Sequence, residues 1–208
     1  MMELDELERD ALRELANVGL SRAATQLSEL LNDHIEMTVP LVQVVPYDQV
    51  TQALQLDPLA SVAAVWQSFS GQSEGTSILM FPSEDSKKLV HALVGPSMQG
   101  AGEDDLRGIE HEAMMEIGNI IITSGMAVIA DMLGHEVRMS LPGYMEGNLP
   151  DILAQRNRDN AGREMQAIIM FTHLKAAQRE IEGRMVMLMS VDSVQVLFER
   201  LHKLLKGL

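Results

Sequence analysis

Two short stretches hold the residues with chemistry to offer. The first, beginning at Glu14, reads ELANVG; the second, beginning at Glu116, reads EIGNII. Each sets a Glu and an Asn three positions apart within an apolar helical pattern. Asp10, Glu14, Asn17 and Ser21 fall at i, i+4, i+7 and i+11, and so do Glu112, Glu116, Asn119 and Thr123. That spacing keeps each set along one side of a helix. A carboxylate can pair with Lys or Arg. A carboxamide donates and accepts at once, so it can hold a water and aim it. Neither is a nucleophile here, and two residues make no triad. The pair reads as half of an active site whose reactive group belongs to another protein. A solvated helix face is the plain alternative. Against it, Asn is a poor interior helix residue because its amide competes for backbone bonds, and the same pair recurs at the same place twice.

The recurrence is part of a longer repeat. Sliding the chain by 102 positions lays Leu4 on Leu106, Glu8 on Glu110, Ala11 on Ala113, Leu31 on Leu133, Met37 on Met139 and Pro40 on Pro142, with no gap. Each copy opens with a helix, from Leu4, Leu7, Ala11, Leu15 and Val18 in the first and from Ile109, Met114, Ile117 and Ile120 in the second. Gly134 is the expected stop of the second helix. A strand follows in each (34–45 and 135–144), holding Pro40 or Pro142, and a proline marks a strand edge, bulge or exit. Two strand-like runs about a Gly/Ser turn over 61–82 predict a hairpin, as do 164–176 and 179–191. A short helix then starts with Ser83 as N-cap and stops near Gly95; its counterpart closes the chain over 192–207.

The expected architecture is therefore α+β, a single domain over 1–208 built of two pseudo-symmetric α-β-β-β-α repeats. Repeat one runs to about 95, the joint spans about 96–104, and repeat two begins about 105. A three-stranded half would leave long exposed edges, and joining the two sheets buries one edge from each. The mainly antiparallel sheet should carry the two motif helices side by side on one face.

Composition narrows the functions. Apolar residues make up 46% of the 208, enough for a real core. A net charge of −14 argues against nucleic acid and against anionic lipid as partners. There are no cysteines, which removes disulfides and thiolate metal sites. The acidic start is not a signal peptide, and no unbroken run of about 18 apolar residues predicts a membrane span, so the default location is the cytoplasm. Sixteen Met with few aromatics suggest a pliable core. The six histidines are scattered: HEAMME at 111 lacks the second His of a zinc helix, and no metal or other cofactor is expected on this chain. GPSMQGAG at 95 lacks the Gly-Lys-Ser/Thr of a phosphate loop.

The motif itself resembles that of the CheC/CheX/FliY family of chemotaxis response-regulator phosphatases, most of all its CheC members. The family pattern is Asp or Ser, three residues, Glu, two residues, Asn, 22 residues, Pro. Asp10, Glu14, Asn17 and Pro40 satisfy it; Glu116, Asn119 and Pro142 do too, with Glu112 standing where Asp or Ser is usual. The resemblance implies a phosphorylated CheY-like receiver domain as substrate, with Mg²⁺ on that partner. It implies that Glu14 or Glu116 pairs with the regulator's Lys and that Asn17 or Asn119 orients the attacking water, with Asp10, Pro40 and Pro142 in support. The CheD deamidase is a further partner it suggests. The alternatives it leaves are a non-catalytic chemotaxis or flagellar-switch interaction protein, or a CheD-binding adaptor. If the reading holds, Asn17 and Asn119 should stand exposed, and copy one, with the full motif, should be the stronger site.

Overall fold

The computed structural model describes residues 4–94, 103–134, 136–160, 162–176 and 179–207. Helix α1 (Glu6–Leu31) begins at a capping box: the Asp5 carboxylate accepts from the Glu8 N–H at 2.7 Å, and the Glu8 carboxylate accepts from the Asp5 N–H at 3.1 Å. It ends at Asn32, whose φ of 48° turns the chain out of the helix. In the repeat register Asn32 falls on Gly134, which ends α4 (Glu103–Leu133) with φ +66°, the expected stop. Because α4 already starts at Glu103, the expected joint is shorter than 96–104, and residues 95–102 lie outside the described ones.

The strands are β1 (Ile35–Pro46), β2 (Ser61–Gly71), β3 (Gly75–Pro82), β4 (Val137–Met139), β5 (Gly143–Asn148), β6 (Met165–Ala176) and β7 (Arg179–Ser190). Both predicted hairpins form, β2 with β3 and β6 with β7. The sheet runs β1-β6-β7-β3-β2-β4, with β5 also on β2, and all pairings are antiparallel. This order differs from two three-stranded halves laid edge to edge. The first strand of each repeat pairs with the other repeat's hairpin: β1 lies on β6, and β4 and β5 lie on β2. The centre is the β3–β7 pair. Exchanging the repeats maps the order onto itself, so the pseudo-symmetry is real but the halves are interleaved.

Strand alternation divides the core between two faces. On one, Val65, Leu79, Ile168, Met170, Met185 and Met187 pack under α1, α3 (Ser83–Val94), α4 and α6 (Val191–Leu205). On the other, Ala64, Ile78, Met80, Ile169 and Val186 pack under α2 (Val50–Ala53) and α5 (Leu149–Arg156). The methionines are largely core filling. The two motif helices meet on the first face: a Cβ on Gly19 would lie 2.7 Å from Gly125 Cα, so glycine lets the backbones touch. The stretch Arg107–Asp131 of α4 is long and apolar enough, by length and composition alone, to cross a membrane, although charged residues interrupt its apolar run. Most of its apolar part is buried inside the fold, against α1 and the sheet.

Two local expectations change. Ser83 is the first residue of α3, and its hydroxyl donates to the Ser61 hydroxyl at 2.8 Å instead of capping the helix. The strand expected over 135–144 is broken into β4 and β5 about Pro142. The helices α2 and α5, in equivalent places of the two repeats, are additional to the expected α-β-β-β-α elements. A signal for α5 was present: Asn148 accepts from the Asp151 N–H at 3.0 Å, and Pro150 sits in the first turn.

Candidate functional site

The prolines decide what surrounds each motif. In copy one the register of β1 on β6 slips between Thr38 and Leu41, whose partners are His173 and Phe171, so β1 holds one extra residue there. Val39, inside this bulge, has no place in the ladder, and its backbone groups need partners. Asn17 supplies them. Its Oδ1 accepts from the Val39 N–H at 2.8 Å, and its Nδ2 donates to the Val39 carbonyl at 3.2 Å. The same Nδ2 donates to the Arg13 carbonyl at 2.9 Å, one turn back on α1. Both amide hydrogens are thus engaged. Val39 itself is buried, while Pro40 and Leu41 lie on the surface.

In copy two the chain leaves the sheet between Met139 and Gly143, and Leu141, the counterpart of Val39, is 87% exposed. No strand backbone group among the described residues bonds the Asn119 amide. Its Oδ1 accepts instead from Gln67 Nε2 of β2 at 3.1 Å. Gln67 Nε2 also donates to the Ser140 carbonyl at 2.9 Å, and Ser140 is stitched to β2 through its N–H to the Ser68 carbonyl at 2.8 Å. The Nδ2 of Asn119 has no partner among the described residues. Glycine at 118 permits this geometry: a Cβ there would lie 2.5 Å from the Val65 Cβ, so α4 rests directly on β2.

The expectation that both asparagines stand exposed is therefore corrected. Both are half-buried and held internally, Asn17 by the Val39 backbone that the bulge leaves outside the ladder and Asn119 by the Gln67 side chain. The carboxylates fit expectation better. Glu14 and Glu116 are exposed and have neither ion pair nor hydrogen bond among the described residues. Asp10 lies 3.1 Å from the Arg13 guanidinium, whereas Glu112, exposed, pairs with no cation among the described residues. Beside the second motif, His111 stacks at 4.8 Å on Tyr144, which donates to Glu146 at 2.7 Å. Burial, then the Glu146 and Glu110 charges, push that phenol well above its ordinary range.

Sequence reasoning missed Gln67. The signal was a lone amide in the inward row of β2, between Val65 and Phe69, both core. No group of three or more His, Asp or Glu among the described residues could hold a metal. An open cleft of about 660 Å³, lined in part by Glu74, Arg163, Glu164 and Asp192, lies at the β2–β3 turn and the start of α6 and includes no motif residue.

A single interleaved sheet that carries a Glu/Asn pair on each of two adjoining helices defines a duplicated α+β fold with a helix-mounted motif in each half. Residues 7–43, which hold Asp10, Glu14, Asn17 and Pro40, match the family model described as the CheC-like family, and the chain resembles that family. It is 24% identical over 200 residues to the CheY-P phosphatase CheC of Bacillus subtilis (strain 168), with 94% of each chain covered. Among solved structures it is similar in fold to Thermotoga maritima FliY, with TM-score 0.77, 21% identity, and 97% of this chain and 99% of that chain covered. A chain of the CheX–CheY–BeF3–Mg²⁺ complex from Borrelia burgdorferi is similar at TM-score 0.52 and 16% identity, covering 83% of this chain and 96% of that one.

Proposed function

We propose that the chain is a phosphatase that hydrolyses the aspartyl phosphate of a CheY-like response regulator. The observation that carries this is the unpartnered Glu one turn before a held Asn, on the same side of both motif helices. Proteins similar to this chain are named CheY-P phosphatases, and one similar fold was solved with CheY. Glu14 or Glu116 pairs with a Lys beside the regulator's phosphate and fixes the docking register. Asn17 or Asn119 enters the regulator's site and orients a water by its amide. The water oxygen attacks phosphorus, the bond to the aspartyl oxygen breaks, and the products are inorganic phosphate and the free carboxylate. Mg²⁺ on the regulator supplies charge neutralisation, so this chain adds only position. Asp10, Pro40 and Pro142 shape the helix and strand around the pair. The reaction takes place in the cytoplasm, and CheD is a further partner on this reading.

One observation favours a second reading for copy one. Asn17, bonded through both ends of its amide to Arg13 and Val39, does what a structural asparagine does. On that reading the helix is a docking surface of a non-catalytic interaction protein. Single-turnover phosphate loss from a phosphorylated receiver domain decides between them. Asn17→Ala and Asn119→Ala should each remove part of the activity, and the double variant should lose roughly 10- to 1000-fold, the range for one positioned polar group at each site. A folded double variant with the wild-type rate would establish the interaction protein instead.

A further inference from the structure

Gln67 is 1% exposed, and its Oε1 is buried with no hydrogen-bond partner. An acceptor removed from water and left unmatched destabilises a fold, and a Leu or Met of similar volume would fill the place without that loss. The benefit must lie on the donor side. There Nε2 serves two acceptors, Asn119 Oδ1 at 3.1 Å and the Ser140 carbonyl at 2.9 Å. Turning the amide over would set Oε1 against the Ser140 oxygen, so its orientation is fixed. Ser140 is exposed and Asn119 half-buried, so the Asn119 end of this pair is the more enclosed residue. The bond to Asn119 Oδ1 is the one that fixes the direction of a motif residue.

We propose that Gln67 is the positioning residue of the second site: it holds Asn119 by its oxygen and leaves both amide hydrogens for the partner protein. This rests on the phosphatase reading above. Copy one has no equivalent. Trp66 pairs with Gly143 as Phe171 pairs with Leu41, and Phe69 pairs with Met139 as Leu174 pairs with Met37. Gly143 and Met139 fall on Leu41 and Met37 in the repeat register, so Gln67 falls on Thr172, a side chain without an amide. Asn17 must release Val39 or Arg13 before it can donate to anything else, and Asn119 need release nothing. The second site is therefore the preset one, in contrast to the strength that its motif match gave copy one.

Gln67→Met keeps the volume and removes the donor. It is placed in two backgrounds, Asn17→Ala, where only the second site acts, and Asn119→Ala, where only the first does. The probe is a purified CheY-like receiver domain phosphorylated with acetyl phosphate in Mg²⁺. In the Asn17→Ala chain kcat should fall roughly tenfold with KM unchanged, the effect of one orienting hydrogen bond. In the Asn119→Ala chain kcat should not change, and Tm should hold or rise in both. An equal fall in the two backgrounds, or no fall in the Asn17→Ala chain, overturns the proposal. Should Gln67→Met fail to fold, Gln67→Leu is read in the same way. If the asparagine variants themselves leave hydrolysis untouched, the phosphatase reading fails and the proposal falls with it.

Discussion

Asp10 has Arg13, Glu8 has the Asp5 amide and lies 3.3 Å from His202, and Glu146 has Tyr144. Glu14 and Glu116 have no such partner among the described residues, and a carboxylate kept free is one available to an outside cation. Glu14→Gln and Glu116→Gln together should raise KM for the phosphorylated receiver while kcat stays near wild type. The loss should be about 1.5–3 kcal/mol, the range for a hydrogen bond to a charged group, and it should shrink as salt is added. A fall in kcat with KM unchanged would place these groups in the chemical step. At this scale the Glu/Asn pairs were legible because the chain writes them twice in one register. What holds the asparagines was not legible: Val39 is 22 residues from Asn17, and Gln67 is 52 residues from Asn119. Local patterning carries no information on pairings that only the folded sheet creates.

The second helix owes its seat to one missing methyl. Gly118 has Ala16 as its counterpart in α1, buried and tolerated there, whereas a Cβ at 118 would collide with Val65. Gly118→Ala should cost about 1–3 kcal/mol by urea unfolding, the usual penalty for overpacking. It should also lift α4 from β2 and weaken the Asn119–Gln67 bond, so activity in an Asn17→Ala background should drop with it. Retained stability and retained activity together would show that the helix rides higher than the packing implies. Among elements, the motif helices and hairpins were legible from period and turn residues, and Pro40 and Pro142 mark where their strands are disturbed. The prolines act differently, however. Pro40 sits at a bulge inside a continuous strand, while Pro142 accompanies a complete break. That difference depends on the partner strand, so the proline alone does not announce it. The α5 helix was legible in principle from Asn148 and Pro150.

At the scale of the molecule, interleaving makes each repeat incomplete. Residues 1–94 alone would leave β1 without β6 and β3 without β7, exposing both edges of what remains. That fragment should show no cooperative unfolding transition as a monomer, which thermal melts followed by circular dichroism at low concentration would test; a sharp monomeric transition would contradict the topology. The two tyrosines report on the intact fold. Burial raises the pKa of Tyr47, against a weaker lowering by its bond from Asn157, and burial with Glu146 raises that of Tyr144. The folded chain therefore keeps two phenolic protons that the unfolded chain gives up near its ordinary value of about 10. Their contribution to stability is full below that pH and is lost as pH rises above it. Ultraviolet titration should show less tyrosinate in native protein at pH 10 than in urea, where ionisation is roughly half. The sheet order could not be foreseen from the sequence, since a repeat register states which strands correspond and not which ones touch.

The exchange of first strands has an evolutionary reading. A half-length ancestor with this topology would have had to find a second copy of itself before it could fold, and its two sites would have been identical by necessity. Fusing the copies replaces that encounter with an intramolecular one at constant effective concentration. It also frees each position from having to suit both halves. Gln67 and Thr172, or the broken strand at Pro142 and the bulged one at Pro40, are differences that a symmetric pair of chains could not have held.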